Sequence, residues 1–233
     1  MTVRAKDVWH AGRPGGEGAA VSSRAGRLTL PAIHDRETAR LVDLITATDL
    51  PAHALRDYAR SHRPVFVFAT IQSAARRLGE KWVRDGVDFA DLTVCLSRLH
   101  DLLRLVPDPP RGVDAGLSFA ILLQPFDDHI LGGAVLEARL RHAGFATEFF
   151  PDWSDQDLSH FDAVLICVTN TDRSAELSDR IARVRARMSA IAPVIVGGPG
   201  SNASRGTGAA DLVTSSLIEA VGFCEARTAD TPS

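Results

Sequence analysis

The sequence predicts an α/β protein in which a small helical bundle precedes a five-stranded parallel sheet with helices on both faces. Two observations carry this prediction. Residues 115–225 alternate short apolar runs with helical segments, as consecutive βα units do. Residues 36–106 show helical periodicity alone, with apolar residues three and four apart. The proline-rich stretch between them, residues 107–114, predicts a stiff linker.

The first pattern predicts four amphipathic helices. Leu41, Leu44 and Ile45 share one face of the first helix. Pro51 is expected in the first turn of the second helix and Pro64 at the start of the third, where a missing N–H costs nothing. A stripe of leucines between residues 89 and 103 predicts the fourth helix. Four such helices can bury a common apolar core as a bundle over residues 36–106.

The second pattern predicts five strands and the helices that connect them. The strands are Leu117–Gln124, Thr147–Phe150, Ala163–Val168, Val194–Gly197 and Leu212–Thr214. The helical segments are Leu131–Ala143, a turn near Asp155–Leu158, Ser174–Ala190, a short piece after Ser201, and Ser216–Phe223. Five strands in about 110 residues suit a doubly wound sheet in the flavodoxin-like strand order. The α/β domain is therefore expected over residues 115–225.

Both ends of the chain are expected to be tails. Residues 1–35 are rich in Gly, Ala, Arg and Ser, so little of this segment can be buried, and a flexible tail is predicted. Its one apolar stretch, Leu28-Thr29-Leu30, can dock as a short edge segment. Residues 226–233 are expected to form a C-terminal tail.

Composition excludes several functional classes. The 233 residues are 45% hydrophobic and 24% charged, with a net charge of −3, so bulk charge does not favour nucleic-acid binding. Cys95, Cys167 and Cys224 show no CxxC spacing, which indicates buried thiols in a reducing compartment. Neither an apolar run of ~18 residues nor a signal peptide is present. A cytoplasmic protein without a membrane contact is expected.

The motif with the clearest chemistry is Asp127-x-His129-x-x-Gly132, between the first predicted strand and the helix after it. This position is at the carboxyl end of a strand, where open α/β sheets bind ligands. Asp127 can accept the Nδ1–H of His129, which fixes the tautomer and makes the other nitrogen a better metal ligand. Gly132 lets a bulky group approach the backbone. These residues can hold a metal-centred macrocycle by one imidazole.

The motif and its neighbours resemble the cobalamin-binding domains of the methionine-synthase and methylmalonyl-CoA mutase type. That family has Asp-x-His-x-x-Gly, then Ser-x-Leu after the third strand, then Gly-Gly after the fourth, and Gly-Ala-Asp before the last. The corresponding segments here are Asp127-x-His129-x-x-Gly132, Cys167-Val168-Thr169, Gly197-Gly198 and Gly208-Ala209-Ala210-Asp211. The second segment departs from the family pattern because Cys167 replaces the serine.

The resemblance implies a lower axial ligand for cobalt. His129 would replace the dimethylbenzimidazole base below the metal, with Asp127 behind it and with Asp128 and Gly132 in the same cofactor-binding segment. In isolation, a single histidine after a strand is more often a surface or capping residue. The flanking Asp and Gly and the downstream Gly-Gly favour a ligand.

The resemblance also implies a path for the displaced nucleotide tail of the cofactor, between the first and third helices of the α/β domain. Gly197 and Gly198 would leave room for the tail, and the turn from Cys167 to Thr169 would line it. Because a thiol is a weak donor, Thr169 or Thr171 would supply the hydroxyl. The alternatives are that Gly197-Gly198 forms only a tight turn and that Cys167 is a small buried hydrophobe.

The helical part resembles the cap that precedes such domains in methionine synthase and in light-sensing B12 repressors. Leu78-Gly79-Glu80-Lys81-Trp82 carries the resemblance, which implies that Trp82 covers the upper face of the corrin. A core anchor is the alternative for Trp82. In those repressors a Glu-His pair follows after nine residues, whereas this chain has Leu92-Thr93. His100, two helical turns further on, is a weak substitute for an upper ligand.

A helical cap and a cobalamin domain without a DNA-binding module resemble the AerR/PpaA group, the antirepressors of photosynthesis genes in purple bacteria. The resemblance covers residues 36–225. It implies a light-responsive transcriptional regulator that is not an enzyme and that binds hydroxo-, methyl- or adenosylcobalamin. Light would act by photolysis of the cobalt–carbon bond. The partner would be a repressor of the PpsR/CrtJ type, and direct contact with DNA stays open.

Two other functions remain open. A corrinoid carrier protein of a methyltransferase system has the same two parts, and the cobalt itself carries the methyl group. A haem sensor on this fold would use His129 or another histidine as its iron ligand. An enzyme that works by acid–base chemistry is disfavoured because no carboxylate pair or nucleophile–base set occurs at matched positions.

Overall fold

A computed structural model describes residues 28, 35–109, 116–123, 130–151, 156–169, 174–198, 200–201 and 209–229. These residues belong to two compact units. The helical unit includes residues 35–109, and the α/β unit includes residue 28 and the described residues after 109. Within the described ranges, no helix is long and apolar enough to cross a membrane.

The helical unit contains the four helices that the sequence predicts. Each buries an apolar face, and Leu41, Ile45, Phe68 and Leu99 are among its fully buried side chains. The helices are α1 (Asp35–Thr46), α2 (Ala54–Ser61), α3 (Pro64–Val83) and α4 (Phe89–Leu105). Pro64 occupies the first turn of α3, as predicted.

The position predicted for Pro51 is wrong. Helix α2 begins only at Ala54, because the residues after Pro51 form a turn that the Ala54 N–H closes by donating to Pro51 O at 3.0 Å. Pro51 therefore lies before the helix.

Two polar side chains fix the ends of helices in this unit. Arg98 of α4 donates to the carbonyl oxygens of Ile45 at 2.6 Å and Ala47 at 2.8 Å, at the end of α1. Asp88 caps the start of α4 by accepting the Asp91 N–H at 2.8 Å. Both contacts satisfy backbone groups that a helix end leaves without partners.

The α/β unit is a five-stranded parallel sheet in the order β2-β1-β3-β4-β5. This is the predicted fold class and the predicted strand order. The strands are β1 (Ser118–Leu123), β2 (Ala146–Phe150), β3 (Ala163–Cys167), β4 (Val194–Gly197) and β5 (Leu212–Val213). The helices are α5 (Ile130–Ala143), α6 (Ser174–Arg185) and α7 (Leu217–Ala229).

The sheet is covered on both faces because successive side chains of a strand point to opposite sides. Ala120 and Leu122 of β1 pack with α6, in a buried group that we call the α6-side cluster. Phe119 and Ile121 of the same strand pack with α5 and α7, in the α5/α7-side cluster. Other members of the α5/α7-side cluster are Leu28, Leu117, Leu140, Ala143, Phe145, Ala163, Leu165, Ile195, Ala220, Val221 and Cys224.

The secondary structure differs from the prediction in two places, which are the segment around Leu158 and the segment after α6. No helical turn is formed by the described residues from 156 to 158. Instead Leu158 is fully buried and forms a parallel bridge with Met188. Its N–H donates to Arg187 O at 3.1 Å. This bridge requires an extended backbone near Met188, so α6 ends at Arg185 rather than at Ala190.

The two predicted tails also need correction where they are described. Helix α7 continues to Ala229, beyond the predicted start of the C-terminal tail at residue 226. Arg227 lies over the ring of Phe223, 5.6 Å from its centroid, and this contact supports the last turn. Leu28 is buried in the α5/α7-side cluster, so it docks as predicted, but on a face of the sheet rather than at its edge.

Candidate functional site

The carboxyl ends of three adjacent strands are aligned. Leu123 at the end of β1 pairs with Cys167 at the end of β3, and Cys167 pairs with Gly197 at the end of β4. The segments that follow these strands therefore leave the sheet at the same edge. The strand order reverses between β1 and β3, and open α/β sheets bind ligands in the crevice at that point.

Four predicted site residues lie outside the described residues: Asp127, Asp128, His129 and Thr171. The first three fall in sequence between the end of β1 and the start of α5. The structure therefore fixes the two elements that flank the Asp-x-His segment, which are the carboxyl end of β1 and the start of α5.

Gly132 lies in the first turn of α5 and faces open space. Among the described residues, a Cβ atom built on Gly132 has no neighbour within 4 Å, whereas a Cβ on the adjacent Gly133 would strike the ring of Phe149. Packing of α5 on the sheet therefore requires Gly133 and does not require Gly132. Ile130, at the start of the same helix, is 42% exposed. The first turn of α5 thus has room for a bulky group.

Gly197 and Gly198 bring the ends of β3, β4 and β5 close together. Gly198 has a φ of +108°, and a Cβ there would lie 2.5 Å from Val168 O. A Cβ on Gly197 would lie 3.0 Å from Thr214 O. Val168 also donates its N–H to Gly197 O at 2.7 Å and accepts from Gly200 at 2.9 Å. The space that both glycines leave is therefore taken up by neighbouring backbone.

Cys167 and Thr169 are both half-buried at this edge. Cys167 is on the side of β3 that faces α5 and α7, and it packs against the α5/α7-side cluster. The other cysteines are in cores: burial raises the pKa of the Cys224 thiol to about 12 and also raises the pKa of Cys95. Cys167 is therefore the cysteine that the fold brings to the candidate site.

The last element of the resemblance, Asp211, lies at the opposite edge of the sheet. Its carboxylate accepts the Val194 N–H at 2.7 Å, where β4 begins, and pairs with Arg185 of α6 at 2.6 Å. Asp211 therefore ties α6 to the amino end of β4. Its role in the structure is to hold the fold together, away from the aligned carboxyl ends.

One polar group at the carboxyl edge is not among the predicted site residues. Thr214, which is buried after β5, donates its hydroxyl to the Glu219 carboxylate and accepts the Ser216 N–H at 3.0 Å. Ser216 in turn accepts the Glu219 N–H at 3.3 Å. The pattern Ser216-x-x-Glu219 is a capping-box signal that was present in the sequence. This network gives the backbone N–H groups at the start of α7 acceptors from nearby side chains.

Trp82 is half-buried in the last turn of α3, in the helical unit. Asp85 takes a left-handed conformation with φ +57°, and Gly86 donates its N–H back to Lys81 O at 2.8 Å. This Schellman-type end fixes the turn that carries Trp82.

His100 of α4 is also half-buried in this unit. Burial, together with the positive charge of Arg104, lowers its pKa below the ordinary value for histidine. The imidazole is therefore neutral at neutral pH, which is the form that binds metals.

The described residues contain no cluster of three or more His, Cys, Asp or Glu that could hold a metal ion by itself. A corrinoid does not require one, because its ring supplies the equatorial nitrogen ligands. The open first turn at Gly132 and the common edge of β1, β3 and β4 fit a large group that one protein side chain holds. The described part of the site is therefore compatible with a corrinoid.

Comparison with known proteins gives a relative in sequence. The chain is 33% identical over 129 residues to a 20.5 kDa protein of the bchF-crtJ intergenic region in Rhodobacter capsulatus. The match covers 50% of this chain and 67% of the relative. The chain belongs to the family of that protein. No family model matches the chain.

Solved structures give a fold relative. The monomethylamine corrinoid protein of Methanosarcina barkeri superimposes with a TM-score of 0.55 at 12% identity, covering 81% of this chain and 95% of that chain. A cobalamin-binding protein from Desulfitobacterium hafniense matches at 15% identity, covering 84% of this chain and 99% of that one, with a TM-score of 0.36. The first match supports the fold: a five-stranded parallel sheet with an N-terminal helical part.

Proposed function

We propose that this protein binds a corrinoid at the carboxyl edge of its sheet. The observation that carries the proposal is the register that aligns Leu123, Cys167 and Gly197, because it brings the segments after β1, β3 and β4 to one edge. The sequence fingerprint of cobalamin domains falls on these same segments. The open space at Gly132 adds support, since that glycine has no packing role within the described residues.

The chain's own residues have distinct tasks in this proposal. His129 would hold the metal through one imidazole nitrogen, and Asp127 would accept its other N–H and fix the tautomer. Gly132 admits the ring, and Thr169 or Thr171 donates a hydroxyl to the tail in place of the weak thiol donor of Cys167. Bound cobalt would supply a ligand that can be exchanged or a bond that light can break.

We propose further that the protein is a regulator rather than an enzyme, and that it acts on a partner repressor of the PpsR/CrtJ type. The support is the family relationship: the Rhodobacter capsulatus relative takes its name from the region between bchF and crtJ. A coupling of about 1–3 kcal/mol between cofactor and partner would change partner affinity ~5- to 150-fold. Light would act by changing the state of the bound cofactor.

A corrinoid carrier is the second candidate function. The fold match to a monomethylamine corrinoid protein, which includes the N-terminal helical part, favours it. Incubation of the cobalamin-loaded protein with a methyl donor and a methyl acceptor separates the two functions. Turnover would support the carrier, and light-dependent capture of the repressor without turnover would support the regulator.

The ligand assignment predicts that His129→Ala loses the absorption change that accompanies binding of an imidazole to cobalt. The experiment loads the protein with hydroxo-, methyl- or adenosylcobalamin, and in parallel with haem, and records spectra. His160→Ala is the matched control because His160 is an exposed histidine of the same unit. A cobalamin spectrum that is the same in His129→Ala and wild type would refute the axial assignment, and a haem spectrum alone would favour a haem sensor.

A further inference from the structure

The helices of the α/β unit carry opposite charges at their two ends. In a parallel sheet, each connecting helix starts at the carboxyl edge and ends at the amino edge. The last turns of the three helices contain basic residues, which are Arg141, His142, Arg183, Arg185 and Arg227. The first turns contain Glu176 in α6, Glu219 in α7 and no acidic residue in α5. Among the described residues, the charges at the helix starts are therefore all negative.

Glu219 is an acceptor that the start of α7 does not use. The helix dipole favours an acidic residue in the first turn, so the position of Glu219 alone does not indicate a ligand. In a capping box, the glutamate side chain accepts the backbone N–H of the cap residue. Here the N–H of Ser216 donates to the Thr214 hydroxyl instead, at 3.0 Å. Within the described ranges, the Glu219 carboxylate accepts only the Thr214 hydroxyl.

Thr214 holds this carboxylate at the carboxyl edge of the sheet. Thr214 is buried, and its N–H donates to Val196 O of β4 at 2.9 Å. Its carbonyl oxygen lies 3.0 Å from the position of a Cβ atom on Gly197, where β4 ends in register with β3. Glu219 itself is exposed. A buried hydroxyl beside the candidate site therefore fixes the orientation of a carboxylate that a ligand can reach.

The free acceptor capacity of this carboxylate distinguishes two classes of macrocycle. The two oxygens of a carboxylate accept about four hydrogen bonds, and Thr214 supplies one donor to Glu219. A corrin carries primary amides at its rim, and their N–H groups can donate to a carboxylate in a charge-assisted hydrogen bond. A porphyrin of the haem type carries propionates, whose negative charge a carboxylate repels. Glu219 therefore favours a rim of amides over a rim with carboxylates.

We propose that Glu219 determines which cofactor binds by the charge of the cofactor rim. Its carboxylate accepts a hydrogen bond from a rim amide and disfavours a macrocycle that has a carboxylate at that place. This inference rests on the proposed corrinoid function. It adds a residue that is not part of the sequence fingerprint of cobalamin domains. The role is one of specificity, and the bond to the metal stays with His129.

The test compares ligands that differ in one rim group. Hydroxocobalamin and its monocarboxylic acids, in which one rim propionamide is hydrolysed to a carboxylate, are titrated into the full-length protein and followed by absorbance. Wild type is expected to bind at least one acid about three- to fivefold more weakly than hydroxocobalamin, in the upper range for an exposed charge pair. Glu219→Gln is expected to bind that acid and hydroxocobalamin equally, because it removes the charge and its amide oxygen still accepts the Thr214 hydroxyl.

Glu225→Gln is the matched control. It removes the same charge from the same helix, about 9 Å further along the helix axis and towards the amino edge. It is expected to discriminate between the two ligands as wild type does. Raising the salt concentration is expected to reduce the discrimination by wild type, since the interacting charges are exposed and therefore screened.

The outcomes separate this inference from the proposed function. Absence of hydroxocobalamin binding by wild type refutes both. Binding of hydroxocobalamin and of every monocarboxylic acid with equal affinity by wild type refutes only the role of Glu219. Discrimination that persists in Glu219→Gln refutes it as well. Discrimination by wild type and by Glu225→Gln that is lost in Glu219→Gln supports it.

Discussion

Glycine has two different tasks at the carboxyl edge of the sheet, and substitution by alanine distinguishes them. Gly132 faces open space within a helix, so Gly132→Ala is expected to keep or raise the free energy of unfolding, by up to about 1 kcal/mol, while it weakens cobalamin binding. Gly198→Ala is expected to cost about 1–3 kcal/mol, because Gly198 has a positive φ and its Cβ would meet Val168 O. Urea unfolding and cobalamin titration of both variants check this; weakened stability in Gly132→Ala would contradict it.

The same residues show how far the sequence could predict the site. The Asp127-x-His129 spacing and Gly197-Gly198 can be identified from the sequence because each is a local pattern beside an apolar strand. The structural role of Gly198 cannot be predicted from the sequence, because it depends on how closely Val168 O approaches Gly198 in the folded chain. The contact of Arg139 with Leu28 joins residues 111 positions apart, and no spacing in the sequence signals it.

At the scale of elements, one arginine joins two helices of the bundle. Arg98 of α4 donates to two carbonyl oxygens at the end of α1, so Arg98→Met is expected to lower the free energy of unfolding of the helical unit by about 1.5–3 kcal/mol. Arg104→Met is the matched control in the same helix. Its pair with Asp101, at 3.8 Å, is exposed and contributes less than about 1 kcal/mol. If thermal unfolding shows equal decreases in the free energy of unfolding for Arg98→Met and Arg104→Met, the role of Arg98 is contradicted.

Elements also differ in how well their bounds could be predicted. The bounds of β4 are as predicted, because an apolar run that is buried on both faces stands out between polar turns. The end of α6 was placed too late, since its helical pattern continues past Arg185. The bridge of Leu158 to Met188 decides that end, and a contact between two distant segments leaves no periodic signal.

At the scale of the whole molecule, each of the two compact units buries an apolar core of its own. Units of this kind can unfold in separate steps, and a ligand stabilises the unit that binds it. We expect Leu140→Ala to lower only the free energy of unfolding of the α/β unit, by about 2–5 kcal/mol. Arg98→Met is expected to lower only the free energy of unfolding of the helical unit. Hydroxocobalamin at 100 times its Kd should raise the free energy of unfolding of the α/β unit by about 2.7 kcal/mol. Hydrogen exchange in α3 and α4 reports on the helical unit, and hydrogen exchange in β1 and β3 reports on the sheet. A single transition that both substitutions shift equally would show instead that the chain unfolds as one cooperative body.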